Sequence, residues 1–182
     1  MKTTVQNRRP SNKGIIGLKK IPLLSVNDNR GQFIKPFPAN FQKKYSFNKN
    51  LEIYYSFSKQ NVFRGFHLQK SKYDCAKIVT CSIGKIFDVV VDLRPDSPTY
   101  LNIVTTILSD KSDFSLLIPK GCAHGYFCLG KNNLVHYIQN QPFHEKHYTG
   151  FHYSSFPVRW PPSFSRKIIS DKDQKLEIFQ KN

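Results

Sequence analysis

Apolar and polar residues alternate in short runs along most of this chain, and clusters of Gly, Pro, Asn and Asp separate the runs. Residues 85–93 give the clearest strand: Phe87, Val89, Val91 and Leu93 fall on one face, and Ile86, Asp88, Val90 and Asp92 on the other. The same reading predicts strands over 21–26, 53–57, 63–69, 77–82, 101–108, 115–118, 124–129 and 134–139. Turn signals stand between them at Asn27-Asp28-Asn29-Arg30-Gly31, Arg94-Pro95-Asp96-Ser97-Pro98-Thr99, Pro119-Lys120-Gly121 and Gly130-Lys131-Asn132-Asn133. Residues 36–50 hold two prolines and an amphipathic stretch around Phe41, so a short helix or loop is expected there. Trp160-Pro161-Pro162 closes the β region. Ser170-Asp171-Lys172-Asp173 then opens a run with Leu176, Ile178 and Phe179 that predicts a short C-terminal helix. Many short strands with turns between them predict an all-β sandwich or barrel such as a jelly roll.

Composition refines this picture at three points. A chain of 182 residues suits a single domain, and the polar N-terminus reads as a disordered basic arm over 1–14 before a domain over 15–182. The formal net charge of +16 is most biased over residues 1–20, where Lys2, Arg8, Arg9, Lys13, Lys19 and Lys20 precede any acid. Elsewhere the lysines are scattered singly, which describes a basic surface with no specific nucleic-acid site. No apolar run is long enough to span a membrane, and Gly14-Ile15-Ile16-Gly17-Leu18 is too short for a signal-peptide core, so a cytoplasmic protein without a membrane partner is expected. Cys75 and Cys81, and Cys122 and Cys128, are each six residues apart among apolar neighbours, a spacing that predicts buried free thiols and no zinc knuckle.

Candidate chemistry sits inside the strand sequence. Arg64 and His67 are three residues apart in a predicted strand, where regular alternation would send them to opposite faces. For both to serve one pocket, Gly65 has to bend or bulge the backbone. A phosphate-gripping cation beside a group that titrates near neutrality is a substrate-site pattern. Lys77, His124, Tyr137 and Asp173 are further polar residues in or beside apolar sequence. Each also has a structural explanation: a packed histidine, a core tyrosine with its hydroxyl satisfied, a lysine stem along apolar surface, and an acid at a helix start.

Taken in order, the blocks Asn61-Val62-x-Arg64-Gly65-x-His67-x-Gln69, Lys77-Ile78-Val79, residues 84–94, Ser97-Pro98-Thr99, Ile118-Pro119-x-Gly121-x-Ala123-His124-Gly125, Tyr137, Trp160-Pro161 and Ser170-x-Lys172-Asp173 resemble the dTDP-4-dehydrorhamnose 3,5-epimerase family of cupin-type jelly rolls. The resemblance implies a cofactor-independent enzyme without a metal that inverts C3, C5 or both of a nucleotide-diphosphate 4-keto-6-deoxy hexose. It implies His67 as base, Asp173 as the carboxylate that orients it, Tyr137 as the opposing acid and Lys77 at the enolate oxygen. Arg64 and His124 would grip the substrate, and Arg30, Glu52, Tyr54, Gln69, Phe143 and Lys172 would complete its binding site. It also implies a homodimer in which the turn that carries Arg30 reaches the partner's site.

At the nucleotide end the chain departs from the family pattern. Lys35 stands where an acid is usual, Glu52-Ile53-Tyr54 replaces Gln-x-Asn, Phe143 replaces a tyrosine, and Tyr148 falls where a glutamate is usual. A cation in place of an acceptor changes what a base edge can pair with, which leaves dTDP, CDP and GDP open as carriers. A ketoisomerase on the same fold and a non-catalytic sugar-binding jelly roll are the competing expectations.

Overall fold

The computed structural model describes residues 14–37, 40–45, 47 and 51–181. Nearly all of the expected basic arm over 1–14 lies outside the described residues. Two five-stranded antiparallel sheets face each other. The first has the order β1 (Lys19–Pro22), β9 (Phe114–Ile118), β6 (Lys77–Ile83), β11 (Asn132–Gln139), β4 (Glu52–Lys59). The second has the order β12 (Tyr148–Gly150), β5 (Phe63–Gln69), β10 (Cys122–Cys128), β7 (Lys85–Asp92), β8 (Ile103–Ser109). A separate hairpin of β2 (Leu24–Asp28) and β3 (Gly31–Lys35) carries Arg30 at its turn. The expected jelly-roll sandwich is the architecture found.

Alternation fills three layers. Val79, Cys81, Val135 and Tyr137 of the first sheet meet Ile86, Val90, Cys122, Tyr126 and Cys128 of the second between the sheets. Val89, Val91, Ala123 and Phe127 point the other way, against Phe156 and Phe164 of the C-terminal segment. Ile78, Leu117 and Ile138 cover the outer face of the first sheet together with Ile21 and Phe47. The two faces of residues 85–93 are therefore those expected. The four cysteines are buried free thiols, and burial pushes those of Cys81, Cys122 and Cys128 up to about 12.

Several expected elements take another form. The strand expected over 21–26 is split at Leu23 between β1 and β2. The 36–50 segment contributes one helical turn, α1 (Phe41–Lys44). Helix α2 is confined to Asp171–Gln174, so the apolar residues after it are not helical. They run as a tail: Glu177 O accepts from His152 N–H at 2.9 Å, and the Phe179 ring packs 5.1 Å from Phe151 and 5.4 Å from Phe156. Apolar surface is buried either way, and the aromatic shelf on the outer sheet face selects the extended form. Strands β3 and β12 have no counterpart among the expected elements.

The divergence of Arg64 and His67 is resolved at Gly65. Pairing of β5 with β10 shifts register between His67↔His124 and Arg64↔Tyr126, which is a bulge. Phe63, Phe66 and Leu68 consequently share the outer face, which leaves Arg64, His67 and Gln69 for the inner one. Gly65 has φ +135°, and a Cβ there would overlap Gly125 Cα. Its peptide bond to Phe66 is cis. Gly65→Ala is expected to destabilise the fold by about 3 kcal/mol or more, as backbone overlap and an unfavourable φ combine. A urea melt with unchanged slope and a lowered midpoint would register it; an unaltered midpoint would contradict the packing described here.

Candidate active site

The inner face at one end of the sandwich collects the polar residues. On β5, His67 Nε2 lies 2.8 Å from Asp173 Oδ1. Asp173 is delivered by α2, whose N-cap Ser170 accepts a hydrogen bond from the Asp173 N–H at 3.1 Å. The acid is thus held by a helix start and still turned to the histidine. The cap is Ser170, and the Asp173 carboxylate is bound to His67 instead of capping the helix. If Nε2–H donates to the carboxylate, the lone pair resides on Nδ1, and that nitrogen is the one able to take a proton.

His124 pairs across the sheet with His67, and its Nε2 lies 2.6 Å from Asp88 Oδ2. Both residues are buried. Arg64 Nε donates to Ser58 Oγ on β4 at 3.0 Å. Gly150, directly opposite His67, lets the edge strand β12 lie close: a Cβ on it would stand 3.0 Å from His67 Cδ2 and overlap Phe66 O.

The first sheet supplies the opposite wall. Lys77 at the start of β6 is buried and has no ion pair among the described residues. Burial pulls its ammonium below the usual lysine range, with Cys75 and Asp74 acting in the other direction. Tyr137 on β11 is buried beneath Tyr54 of β4, the rings stacked at 4.7 Å, and its ring lies 6.2 Å from that of His124. Burial holds both phenols above their usual range, so they are protonated donors near neutral pH. Tyr137 also engages the Tyr126 hydroxyl, which is bound to Ser56 Oγ at 2.7 Å.

A cavity of about 260 Å3 opens between Glu52, Tyr54, Gln69, Lys77, Gln139, Phe143 and Tyr148. Glu52 Oε2 accepts from Gln139 Nε2 at 2.7 Å and from the Phe143 N–H at 2.5 Å. Tyr54 donates to Gln139 Oε1 at 3.2 Å. Gln69 Nε2 donates to Tyr73 O and Pro142 O, and its Oε1 accepts from the His144 N–H. A second cavity of about 440 Å3 exposes His67 and runs between β12 and α2 past Lys172.

The structure therefore sets His67, Asp173, Arg64, His124, Lys77, Tyr137, Glu52, Tyr54, Gln69, Phe143 and Lys172 along and beside the inner face, with Arg64 farthest from Glu52. It does not bring Arg30 there: that side chain is 85% exposed at the hairpin turn and paired with Asp28. Sequence reasoning missed Gln139 and the Asp88 partnership with His124. Asp88 had a legible signal, a carboxylate between Ile86 and Val90 on the inner face of residues 85–93, because such a group needs a buried donor. No group of three His, Cys, Asp or Glu side chains among the described residues could hold a metal ion.

Comparison with known proteins gives the family and supports the fold. A family model described as dTDP-4-dehydrorhamnose 3,5-epimerase matches residues 12–181. The enzyme of that name from Escherichia coli (strain K12) is 32% identical over 84% of this chain and 78% of its own length. The one from Methanothermobacter thermautotrophicus is 33% identical over 85% of each. The crystal structure of dTDP-4-dehydrorhamnose 3,5-epimerase from Bacillus anthracis str. Ames, with TDP and PPi bound, superposes with a TM-score of 0.83 at 28% identity, covering 94% of this chain and 99% of that one. A shared fold over 94% of this chain, together with relatives above 30% identity, settles the family: this chain belongs to the dTDP-4-dehydrorhamnose 3,5-epimerases.

Proposed function

We propose that His67, Lys77, Tyr137 and Asp173 carry out the proton transfers of a nucleotide-sugar epimerase. Membership of the family makes the protein an isomerase of deoxysugar biosynthesis that acts on a nucleotide-activated 4-keto-6-deoxy hexose. The C4 carbonyl acidifies the C–H bonds at C3 and C5. His67 Nδ1 takes that proton, and the C–H electron pair moves into the enolate, its charge falling on the C4 oxygen. Asp173 orients the imidazole and stabilises its cation. The Lys77 ammonium faces the enolate oxygen. Tyr137 returns a proton to the opposite face, which inverts the carbon. One proton leaves and one is returned, with no net oxidation, so the reaction needs no redox cofactor. The observation that carries this reading is the 2.8 Å His67–Asp173 pair on the same inner face as the buried Lys77, which has no ion pair among the described residues.

The carrier nucleotide is dTDP, CDP or GDP, with Glu52, Tyr54, Gln69 and Phe143 along its path and Arg64, His124 and Lys172 toward the diphosphate and sugar. We further propose a homodimer. Ile53, Tyr55 and Phe57 are exposed in a row on the edge strand β4, and Leu24, Val26 and Phe33 on the hairpin, more apolar surface than a lone subunit ordinarily leaves uncovered. Arg30 would then contact substrate in the partner's site. Four buried free thiols suit a reducing, cytoplasmic setting, and no helix among the described residues is long and apolar enough to cross a membrane.

The test is incubation with dTDP-, CDP- and GDP-4-keto-6-deoxy hexoses in D2O, followed by NMR. Deuterium at C3 or C5 with inversion is expected from one carrier. A shifted carbonyl with no label at C5 would mark a ketoisomerase, and no label from any carrier would sink the proposal. Tyr137→Phe is expected to keep deuterium wash-in while inversion falls about 100-fold; equal losses in both would contradict its role as the opposing acid.

A further inference from the structure

Each inversion leaves the enzyme discharged. His67 has gained a proton and Tyr137 has lost one, so both must be reset before the same groups act on a second carbon or a second sugar. His67 has a way out: it lines the cavity between β12 and α2, and its side chain is 20% exposed. Tyr137 has no such opening. It is 7% exposed and covered by the stacked Tyr54 ring, and a sugar seated between Tyr54 and Lys77 closes the cavity on that side.

Behind Tyr137 the two sheets hold a line of hydroxyls. The Tyr137 hydroxyl is hydrogen-bonded to that of Tyr126, on β10 of the opposite sheet. The Tyr126 hydroxyl lies 2.7 Å from Ser56 Oγ, and either oxygen can donate. Tyr126 is 1% exposed, whereas Ser56 is partly exposed on the border strand β4. The line therefore starts at the buried acid, crosses the core and ends at the rim of the sandwich. A core tyrosine needs its hydroxyl satisfied, and the bond to Ser56 already does that. The further bond to Tyr137 is more than packing asks for. Each of the three hydroxyls can donate and accept at once, the property a proton-passing chain requires. Arg64 pairs in register with Tyr126, and its charge favours the Tyr126 oxygen when that oxygen is negative.

We propose that Tyr126 and Ser56 form a proton relay that recharges Tyr137 after each inversion; this rests on Tyr137 being the acid of the epimerase reading above. The Tyr137 phenolate takes the Tyr126 hydroxyl proton, Tyr126 takes that of Ser56, and Ser56 takes one from water at the rim. His67 releases one proton to water through its own cavity, so the cycle closes with no net gain or loss. Burial holds the Tyr137 phenol well above its usual range, so the phenolate left by proton donation draws a proton back. Epimerisation at two carbons uses the acid twice on one sugar, and the second inversion is the step that needs the relay.

The experiment mixes wild type, Tyr126→Phe and Ser56→Ala with a few equivalents of the 4-keto-6-deoxy hexose carrier that wild type accepts, quenches from milliseconds onward and counts inverted carbons per site. Tyr126→Phe keeps the ring and its packing and interrupts the line. It is expected to invert about one carbon per site at the wild-type rate and then to slow about 10-fold or more, so that sugar inverted at a single carbon accumulates. The slow phase should lengthen more in D2O than the first phase does. Ser56→Ala, which cuts the outer link, should show the same break, and wild type should show none. If Tyr126→Phe does not fold, by calorimetry, Ser56→Ala decides in the same terms. A variant that follows the wild-type course, or one that slows the first and later inversions alike, overturns the relay while the epimerase reading stands. No inversion by wild type with any carrier overturns both.

Discussion

His67→Ala is expected to abolish deuterium incorporation at both α-carbons, with kcat/KM lower by about 1,000-fold or more. A positioned general base contributes roughly 100- to 10,000-fold, and in the proposed mechanism His67 serves whichever carbon is inverted. The side chain is partly exposed and held by one partner, Asp173. Its removal should therefore leave the melting temperature within a few degrees of wild type. His67→Gln, which keeps a polar side chain without a base of suitable pKa, should be equally inactive. Retained exchange at one carbon in either variant would show that another group removes that proton.

Lys77→Met is expected to move activity and stability in opposite directions. Loss of the cation at the enolate oxygen should lower kcat about 100- to 1,000-fold. The same change removes a buried ammonium that has no ion pair among the described residues, and a methionine fills the space of the stem. A gain of about 1–2 kcal/mol would raise Tm by roughly 2–8 °C in a chain of this size. The pH dependence follows from the direction of the Lys77 shift. Its folded pKa lies below the ordinary lysine value, so between the two the unfolded chain binds more protons than the folded one. Stability contributed at this position therefore rises with pH across that interval, and the methionine variant should lack the rise. Activity that depends on the ammonium falls across the same interval. A Lys77→Met protein that is both active and less stable would contradict its assignment.

Much of the site was legible because strand alternation is a two-state code. Once residues 85–93 read as a strand, Asp88 and Asp92 had to share the inner face with Ile86 and Val90, and they do. The Arg64–His67 conflict announced that Gly65 was special, though a bulge and a bend are indistinguishable in sequence. Strand β12 was invisible because three residues have no periodicity of their own; only the neighbouring β5 makes them a strand. The C-terminal tail misled for a related reason. Leu176, Ile178 and Phe179 have spacing compatible with a helix, but the shelf of Phe151 and Phe156 that captures Phe179 is a tertiary feature. Tyr148, which lines both cavities, was visible as a departure from the family pattern. Its position depends on the short strand that carries it.

Strand β4 turns Glu52, Tyr54, Ser56 and Ser58 inward, toward Gln139, Tyr137, Tyr126 and Arg64, and carries neither member of the His67–Asp173 pair. It lies at the margin of its sheet and exchanges ladder hydrogen bonds with β11 alone. A substitution there disturbs one ladder and none of the proton-transfer geometry on β5 and α2. A change on this border strand therefore reaches the chemistry through Tyr137, on which Tyr54 stacks, and leaves the His67–Asp173 pair in place.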